Sequence, residues 1–345
     1  MKHFALAWLN IAILLLASPS RAQTVEQFYR GRTVNIIVPF TAGGYYDLGA
    51  RVVARHYGRF LPGNPAFVVQ NQPGAAGVAL GNRLANSIER DGGTIAAISR
   101  GMPQLAIAGD PNIAFDPVKL TWLGSLSSYG SDGYLLIVDA ANPARTFDDL
   151  RRAARPVHLG ANSVGSTNVT FALLARDMLG GKIEIVRGFP GARDIWLAMD
   201  RGEVEGQVVD VSAILVARPE LWKAGKLRPL VQFGRATRLP DLPDVPTGRE
   251  LVADRLDRAL LEFSEMPFFM ALPFAGPPGV PADRAAALRA GFLAMAADPD
   301  FLADIGRTGI ITSPISGEAI TEIIARGATT PPDVLKRFRV LTGEN

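Results

Sequence analysis

The chain has 345 residues, of which 48% are hydrophobic and 20% are charged, so it can bury a large core and is not intrinsically disordered. Its length suggests about two domains. The 36 basic and 33 acidic side chains give a formal charge of +3. The absence of cysteine excludes disulfides, thiolate metal sites, cysteine nucleophiles and a lipid on an N-terminal cysteine.

Residues 1–22 have the pattern of a secretory signal peptide. Lys2 precedes an apolar run over residues 4–17, and the small residues Ser20 and Ala22 suit cleavage near Ala22. The apolar run is short for a bilayer span, and an N-terminal membrane anchor is the alternative. Cleavage near Ala22 predicts an exported, periplasmic protein.

The charge and the motifs exclude several classes of partner. Loss of residues 1–22 removes two basic side chains and no acidic one, which lowers the formal charge from +3 to +1. Such a weak charge gives no electrostatic basis for binding nucleic acid. The sequence has no Walker A motif, no paired-glycine dinucleotide motif and no His-Glu metal motif, so we expect neither a cofactor nor a metal ion.

Apolar, β-branched runs alternate with helical patterns, which predicts an α/β fold with largely parallel strands. Strands are predicted at 34–38, 67–70, 94–98, 120–123, 135–138, 157–159, 183–186, 205–209 and 228–232. One helix is expected to begin near Asp47 as its N-cap, another near Ser166, and a third over residues 190–200. Residues 281–342 are predicted to be nearly all helix.

Two shifts in composition predict how the chain divides into domains. The first lies at residues 129–132 and the second at 238–247, where closely spaced prolines exclude a helix. Two crossing points indicate a domain inserted in a domain. We therefore predict a discontinuous lobe 1 from residues 23–126 and 236–345, and a lobe 2 from residues 127–235.

Two turns share the order strand, glycine, helix start, at residues 39–47 and 160–168. Glycine lets backbone amides turn toward a ligand, and the unpaired amides of a helix start favour an anion. Many such turns only connect a strand to a helix. One turn on each predicted lobe nevertheless indicates a ligand site in the cleft between the lobes.

Two further segments follow predicted strands. The turn at residues 70–77 either lines the same crevice or only begins a helix. Residues 99–102 lie beyond the carboxyl end of a strand, where α/β sheets place ligands. The side chain of Arg100 faces either the ligand site or solvent; the sequence leaves both open.

A hydrolase is the enzyme alternative. Residues 97–101 loosely match a nucleophile elbow around Ser99, and His158 lies downstream as a possible base. His158, however, falls within an apolar strand pattern, and His56 falls on the apolar side of a helix. The sequence therefore favours a binding protein over a secreted serine hydrolase.

Several motifs occur in the order found in a known family. They are IIVPF (36–40) with AGG (42–44) and Asp47, VVQN (68–71) with PGAAG (73–77), DGGT (91–94), Gly165-Ser166, RGEV (201–204), LPDVPT (242–247) with Glu250, and PPGVP (277–281). On these residues the chain resembles the periplasmic substrate-binding proteins of tripartite tricarboxylate transporters, the Bug-type receptors.

The resemblance implies a two-lobed, Venus-flytrap receptor of the type II-like periplasmic binding class, with no enzymatic activity. It implies that the first glycine turn and the Gly165-Ser166 turn hold a small carboxylate, largely through backbone amides and bridging waters. It also implies delivery to inner-membrane transporter subunits. We expect a monomer. A sensor partner that presents its liganded form to a membrane receptor is the alternative with the same fold.

The chain departs from the family pattern at two places. Tyr45 and Tyr46 replace small residues, and residues 188–191 replace a Tyr-Lys-Gly sequence. The added rings favour an aromatic or longer apolar acid over citrate. The two tyrosines could instead pack against the neighbouring lobe.

We expect the ligand carboxylate on the amides of residues 42–46, with residues 165–168 closing over it. Tyr46 and Phe189 are the expected apolar walls, and Asp210 is a candidate orienting group. Asp47 can act as a helix cap or as a ligand contact, and the helix cap is the favoured interpretation. The predicted ligand-binding residues, with no catalytic or metal-binding residue among them, are Thr41, Ala42, Gly43, Gly44, Tyr45, Tyr46, Asp47, Ser99, Gly165, Ser166, Thr167, Asn168, Phe189 and Asp210.

Overall fold

The computed structural model describes residues 23–130 and 132–343. The predicted signal peptide, residues 1–22, lies outside the described residues. Within the described ranges, no helix has both the length and the apolar character needed to cross a bilayer.

The strands of the described chain form two separate sheets. In chain order the strands are β1 (Thr33–Val38), β2 (Ala66–Asn71), β3 (Thr94–Ala97), β4 (Thr121–Ser125), β5 (Tyr134–Asp139), β6 (Val157–Gly160), β7 (Ile183–Val186), β8 (Gly206–Asp210), β9 (Leu227–Phe233), β10 (Pro273–Gly276) and β11 (Ile315–Ser316). The first sheet has the order β11-β4-β10-β3-β1-β2, and the second has the order β7-β6-β8-β5-β9.

Helices connect the strands and cover the sheets. They are α1 (Val25–Tyr29), α2 (Tyr45–His56), α3 (Val78–Asn86), α4 (Met102–Ala108), α5 (Phe147–Arg151), α6 (Thr167–Leu173), α7 (Ala192–Asp200), α8 (Val211–Ala217), α9 (Pro219–Lys223), α10 (Arg255–Glu265), α11 (Ala282–Ala296), α12 (Pro299–Gly306), α13 (Gly317–Gly327) and α14 (Pro332–Thr342). Helix α6 continues into a π-helical turn, Leu174–Met178.

The burial of each strand follows its place in the sheet. β4 and β8 lie inside their sheets and have five consecutive buried residues, because both faces are covered. β2 lies at an edge and alternates exposed with half-buried residues. These interior runs supply the apolar cores of the two sheets.

The strand predictions are confirmed to within two residues at every bound. β10 and β11 were not predicted, because β10 is short and lies among prolines and β11 has only two residues. The expectation of largely parallel strands is confirmed in strand direction, which β1 to β4 share in the first sheet and β6 to β9 share in the second, but both sheets are mixed. β10 runs antiparallel to β3 and β4, and β5 runs antiparallel to β8 and β9, since each first strand after a crossing enters in the opposite direction.

The chain passes from the first sheet to the second between β4 and β5, and returns between β9 and β10. Helices α10 and α14 come from the range predicted for lobe 1, yet they share an apolar cluster with β5 and β9 of the second sheet. Helix α14 also packs against α4 and α6. The C-terminal helix thus contacts α4, which follows a strand of the first sheet, as well as α6, which follows a strand of the second sheet. The exact lobe boundaries stay a prediction.

A substitution of Gly206 in β8 would test the packing of the second sheet. A Cβ atom there would overlap the carbonyl oxygen of Ile137 and lie 3.0 Å from Leu159 Cδ2. We expect Gly206→Ala to lower the free energy of unfolding by about 1–3 kcal/mol, because backbone cannot move aside cheaply. Urea unfolding measures this. Gly306→Ala, at an exposed helix end with nothing within 4 Å, is the control and should not destabilise the protein. Equal stability of the two variants would contradict this packing.

Candidate ligand-binding site

A cavity lies between the two sheets, at the carboxyl ends of β1, β3, β6 and β8. We call it the main cavity. It comprises about 640 Å³, part of which is open to solvent. The loops that follow parallel strands converge at this edge of each sheet, which is where α/β proteins bind ligands. The predicted residues that line it are Thr41, Gly44, Tyr45, Tyr46, Ser99, Ser166, Thr167, Asn168 and Asp210.

The first glycine turn forms one wall of the main cavity. Gly43 has a φ of +85°, a left-handed conformation that favours glycine, and Gly44 is the N-cap of α2. The helix therefore begins at Tyr45, and the prediction of Asp47 as the N-cap is wrong. Asp47 lies in the first turn, where its carboxylate accepts hydrogen bonds from the Gly43 amide at 2.8 Å and from Arg51 Nε at 2.9 Å.

The buried Asp47 carboxylate also accepts a hydrogen bond from Asn71 Nδ2 at 2.8 Å. Burial opposes ionisation, but the hydrogen bonds from Arg51, the Gly43 amide and Asn71 outweigh it and hold the pKa of Asp47 below its usual value. Asp47 does not line the main cavity. Its observed role is to fix the glycine turn.

The second glycine turn forms the opposite wall. Gly165 has a φ of +89°, and a side chain there would meet Leu105 Cδ1 of α4 at 2.9 Å. Gly165 thus lies against an element of the first sheet rather than in the cavity. Ser166 Oγ donates to Asn168 Oδ1 at 2.6 Å, and Asn168 Nδ2 donates to Asn162 Oδ1 at 2.8 Å. These bonds fix the loop and leave the α6 amides without a side-chain cap.

An ion pair joins the two sheets across the main cavity. Arg100, in the loop after β3, donates from Nη1 to Asp210 Oδ1 at 2.6 Å and from Nη2 to Asp210 Oδ2 at 3.1 Å. The two residues are only 4% and 7% exposed. Arg100 Nε also donates to Thr167 Oγ1 at 3.3 Å. Of the two directions that the sequence left open, Arg100 takes the inward one, and most of its donors are occupied.

Aromatic rings surround the Arg100 guanidinium. Its central carbon lies 5.0 Å from the ring centre of Tyr134, 4.9 Å from that of Phe268 and 5.6 Å from that of Tyr129. The Tyr129 hydroxyl also donates to Asp210. Asp210 therefore orients Arg100, whereas it was predicted to orient the ligand.

The two tyrosines of the first turn have different environments. Tyr46 Oη accepts from the Arg100 amide at 3.1 Å and donates to the Ala271 carbonyl at 3.3 Å, which positions the loop after β3. Burial raises the pKa of Tyr46 to about 12. Tyr45 is 4% exposed, and its hydroxyl has no hydrogen-bond partner among the described residues. Both rings line the cavity and also pack against interior residues. The two sequence interpretations, a ligand wall and a packing role, therefore do not exclude each other.

A second buried carboxylate, Asp132, lies near the ion pair in the segment that crosses to the second sheet. It accepts hydrogen bonds from the Gly133 amide at 2.8 Å, and from the amide and hydroxyl of Ser212. Burial, followed by repulsion from the Asp210 carboxylate, raises the pKa of Asp132 to about 7. The Ser212 hydroxyl accepts in turn from the Ile311 amide at 2.9 Å, which links Asp132 to a loop beside the first sheet.

Five predicted site residues do not line the main cavity: Ala42, Gly43, Asp47, Gly165 and Phe189. The structure thus does not support Phe189 as a wall of the cavity. Its ring packs beside Ile195 and Val204, because the glycine turn before it directs the side chain onto α7. The turn at residues 70–77 is also absent from the lining.

Neither of the histidines in the described ranges is placed to act as a base for Ser99, as the hydrolase alternative requires. Ser99 lines the main cavity, but neither His56 nor His158 does. His56 Nε2 lies 2.9 Å from Asp304, and His158 Nε2 lies 3.2 Å from Glu184. Among the residues that the structure describes, no group of three or more acidic or histidine side chains is placed to hold a metal ion.

Two mixed sheets joined by two crossings, with a cavity of polar and apolar lining between them, define a two-lobed solute-binding protein. The profile of the tripartite tricarboxylate transporter family receptor matches residues 50–298, and the chain belongs to this family of solute receptors. The chain is 30% identical over 258 residues to protein BugT of Bordetella pertussis, covering 72% of this chain and 74% of that protein. It is 29% identical over 258 residues to a Cupriavidus necator protein encoded beside gbd, covering 72% and 74%.

Solved structures have the same fold. The periplasmic binding protein BugD aligns with a TM-score of 0.70 at 20% identity, covering 91% of this chain and 98% of that one. An R. palustris protein solved with adipate aligns with a TM-score of 0.69 at 21% identity, covering 91% and 98%. MatC from Rhodopseudomonas palustris, solved with malate, aligns with a TM-score of 0.68 at 21% identity, covering 90% and 99%.

Breaking the Arg100–Asp210 pair should destabilise the protein. Arg100→Met leaves the Asp210 carboxylate buried beside Asp132 without a cation, and we expect a loss of about 3–5 kcal/mol in the free energy of unfolding. Arg100→Met with Asp210→Leu should recover most of this loss, because neither member of the pair is then left as a buried charge without its partner. Urea unfolding of both single variants and the double variant measures the coupling. Arg201→Met, in an exposed pair, is the control.

An Arg100→Met variant as stable as the Arg201→Met control would contradict this role of the ion pair.

Asp132 should make stability depend on pH. Its pKa rises from 3.8 to about 7 on folding, so between these values the folded state holds a proton that the unfolded state has lost. The contribution is fully present below the unfolded pKa and is lost as the pH rises through the folded pKa. As the pH rises over this range, the unfolding free energy of the wild type should therefore fall relative to that of Asp132→Asn. Parallel pH profiles of the two proteins would contradict the raised pKa.

Proposed function

We propose that this receptor binds a small organic carboxylate in the main cavity and delivers it to the membrane subunits of a tripartite tricarboxylate-type transporter. One observation carries the proposal: helix starts without side-chain caps lie on opposite walls of one cavity. No backbone carbonyl of the described residues accepts from the amides of Tyr45, Tyr46, Thr167 or Asn168. These amides are the first of their helices, where free donors and the helix dipole favour an anion.

Arg100 is not the carboxylate receptor in this proposal. Its guanidinium already binds both oxygens of Asp210 and the Thr167 hydroxyl, so a ligand would have to displace a buried carboxylate. That exchange would leave Asp210 without its cation at a large cost. The ligand carboxylate therefore binds to the helix starts, and the hydrogen bonds between Arg100 and Asp210 remain intact.

The other lining residues define the body of the ligand. Phe40, Tyr45 and Tyr46 on one wall and Val208 and Val209 on the other offer apolar surface. An acid with an apolar or aromatic body would bury this surface, whereas a tricarboxylate would bring more charges than the cavity can pair. Two similar structures hold adipate and malate, which are also small organic acids.

The remaining parts of the proposal concern the protein's location and state. Residues 1–22 act as a signal peptide cleaved near Ala22, and the mature protein works in the periplasm. It has no catalytic activity, cofactor or metal ion, and it acts as a monomer. Lobe 1 comprises residues 23–126 and 236–345, lobe 2 comprises 127–235, and closure occurs by bending at the two crossings.

Calorimetric titration of the mature protein against aliphatic, aromatic and tricarboxylic acids at neutral pH tests this function. We expect an acid with an apolar body to bind more tightly than citrate. Gly44→Leu should weaken binding at least about tenfold, because its Cβ meets nothing nearer than 3.9 Å and the side chain would fill the cavity without backbone strain. The matched control, Gly306→Leu on the surface, should bind like the wild type.

The proposal fails if no acid binds, or if Gly44→Leu binds like the control. Turnover of an ester or amide that depends on Ser99 would instead return the hydrolase alternative.

A further inference from the structure

The start of α7 lies against the first glycine turn, beside the main cavity. Thr41 belongs to the loop after β1 of the first sheet, whereas α7 follows β7 of the second sheet. Thr41 Oγ1 donates a hydrogen bond to Asp194 Oδ2 at 3.2 Å. Thr41 and Ala192, the first residue of α7, line the main cavity, but Asp194 does not. The hydrogen bond therefore joins two walls of the cavity through a residue that lies outside it.

Gly191 allows these two walls to come close together. A Cβ atom at Gly191 would overlap Thr41 Oγ1, and it would lie 3.4 Å from both Thr41 Cβ and Asp194 Oδ2. The backbone of Gly191 is extended, with a φ of −161° and a ψ of 171°, and any residue can adopt this conformation. Glycine is therefore required here by the opposite wall and not by the local backbone.

Other contacts between the two sheets also involve glycine. A Cβ atom at Gly43 would lie 4.0 Å from Arg193 Cδ, so the aliphatic part of this side chain packs over the first glycine turn. A Cβ atom at Gly101, in the loop after β3, would lie 3.1 Å from the Gly165 carbonyl oxygen. The loops that surround the main cavity thus approach each other at positions where a side chain would not fit.

The contact at α7 differs from the Arg100–Asp210 pair in its exposure to solvent. Thr41 and Asp194 are half-buried, whereas Arg100 and Asp210 are both buried. Separating a buried ion pair is costly, but a partly exposed hydrogen bond can exchange with water at a small cost. A motion that admits a ligand and leaves the ion pair intact therefore has to separate the walls at α7.

We propose that Thr41, Gly191 and Asp194 form a latch that closes the main cavity over its ligand and sets the rate of ligand release. This inference rests on the proposed function. The latch opens when α7 moves away from the first glycine turn, and it closes when the Thr41 hydroxyl donates to Asp194 again. Gly191 is a positioning residue, because it sets how closely α7 approaches the turn. The latch favours the closed form, from which the ligand cannot leave.

The dissociation rate of a bound acid tests the latch. Calorimetry with adipate, malate and benzoate identifies the acid that binds most tightly, and stopped-flow displacement then gives its dissociation rate. Thr41→Ala and Asp194→Ala should each raise this rate about three- to tenfold, because a hydrogen bond to a charged acceptor is lost. The double variant should release the acid no faster than the faster single variant, since both substitutions remove the same bond.

Asp300→Ala is the matched control for Asp194→Ala. Asp300 also lies in the first turn of a helix, α12, and its side chain is 76% exposed. The substitution removes the same favourable charge from a helix start but lies outside the main cavity. It should keep the wild-type dissociation rate.

A substitution of Gly191 tests the close approach of the two walls. Gly191→Ala should raise the dissociation rate at least about tenfold, because the added Cβ atom keeps α7 away from Thr41. Adding Thr41→Ala removes the overlapping oxygen and should lower the rate to that of Thr41→Ala alone. A weaker helix cap at Gly191 would not be repaired by a change on the opposite wall. Gly306→Ala, with nothing within 4 Å, is the control and should release the acid like the wild type.

The outcomes separate the two proposals. If the wild type binds none of these acids and no other carboxylate, the proposed function is overturned and the latch with it. The latch alone is overturned if Asp194→Ala keeps the wild-type dissociation rate, if the effects of Thr41→Ala and Asp194→Ala add, or if Thr41→Ala does not rescue Gly191→Ala. A Gly191→Ala variant that does not fold leaves the decision to the Thr41→Ala and Asp194→Ala pair.

Discussion

The buried ion pair between Arg100 and Asp210 is the interaction on which this cavity depends. It links the loop after β3 to the end of β8, and it lies in a low-dielectric site enclosed by three aromatic rings. Because both charges are buried, neither can be exposed or lost cheaply. The pair thus fixes the distance between two loops of different sheets. It also uses Arg100, the one arginine among the described residues that line the main cavity, and so determines which donors are left for a ligand.

The remaining donors are backbone amides and neutral side chains. Both glycine turns place a helix start against the cavity, and Gly43 and Gly165 adopt the left-handed conformation that such turns require. Asp47 and Asn168 fix these turns through hydrogen bonds to their own loops. Rigid loops of this kind lower the entropy cost of binding a small anion.

The sequence predicts much of the fold, because β-branched runs and glycine turns act locally. The strands β1 to β9 and the starts of α6 and α7 were predictable for this reason. β10 was not, since a four-residue strand that begins at Pro273 and is followed by Pro277 has a weak pattern and gains its place from pairing with β3 and β4. The direction of Arg100 depends on Asp210, 110 residues away, which no local pattern shows. The position of Phe189 depends in the same way on contacts with α7 and with Val204, which precedes β8, and these contacts form only in the folded chain.

The central claim is that the ligand carboxylate binds to helix starts while Arg100 stays paired with Asp210. A crystal structure of the mature protein with a bound acid tests it most directly. The account predicts carboxylate oxygens within hydrogen-bond distance of the amides of residues 45–46 or 167–168, with both Asp210 oxygens still on Arg100. A ligand carboxylate seated on the Arg100 guanidinium, with Asp210 displaced, would contradict it.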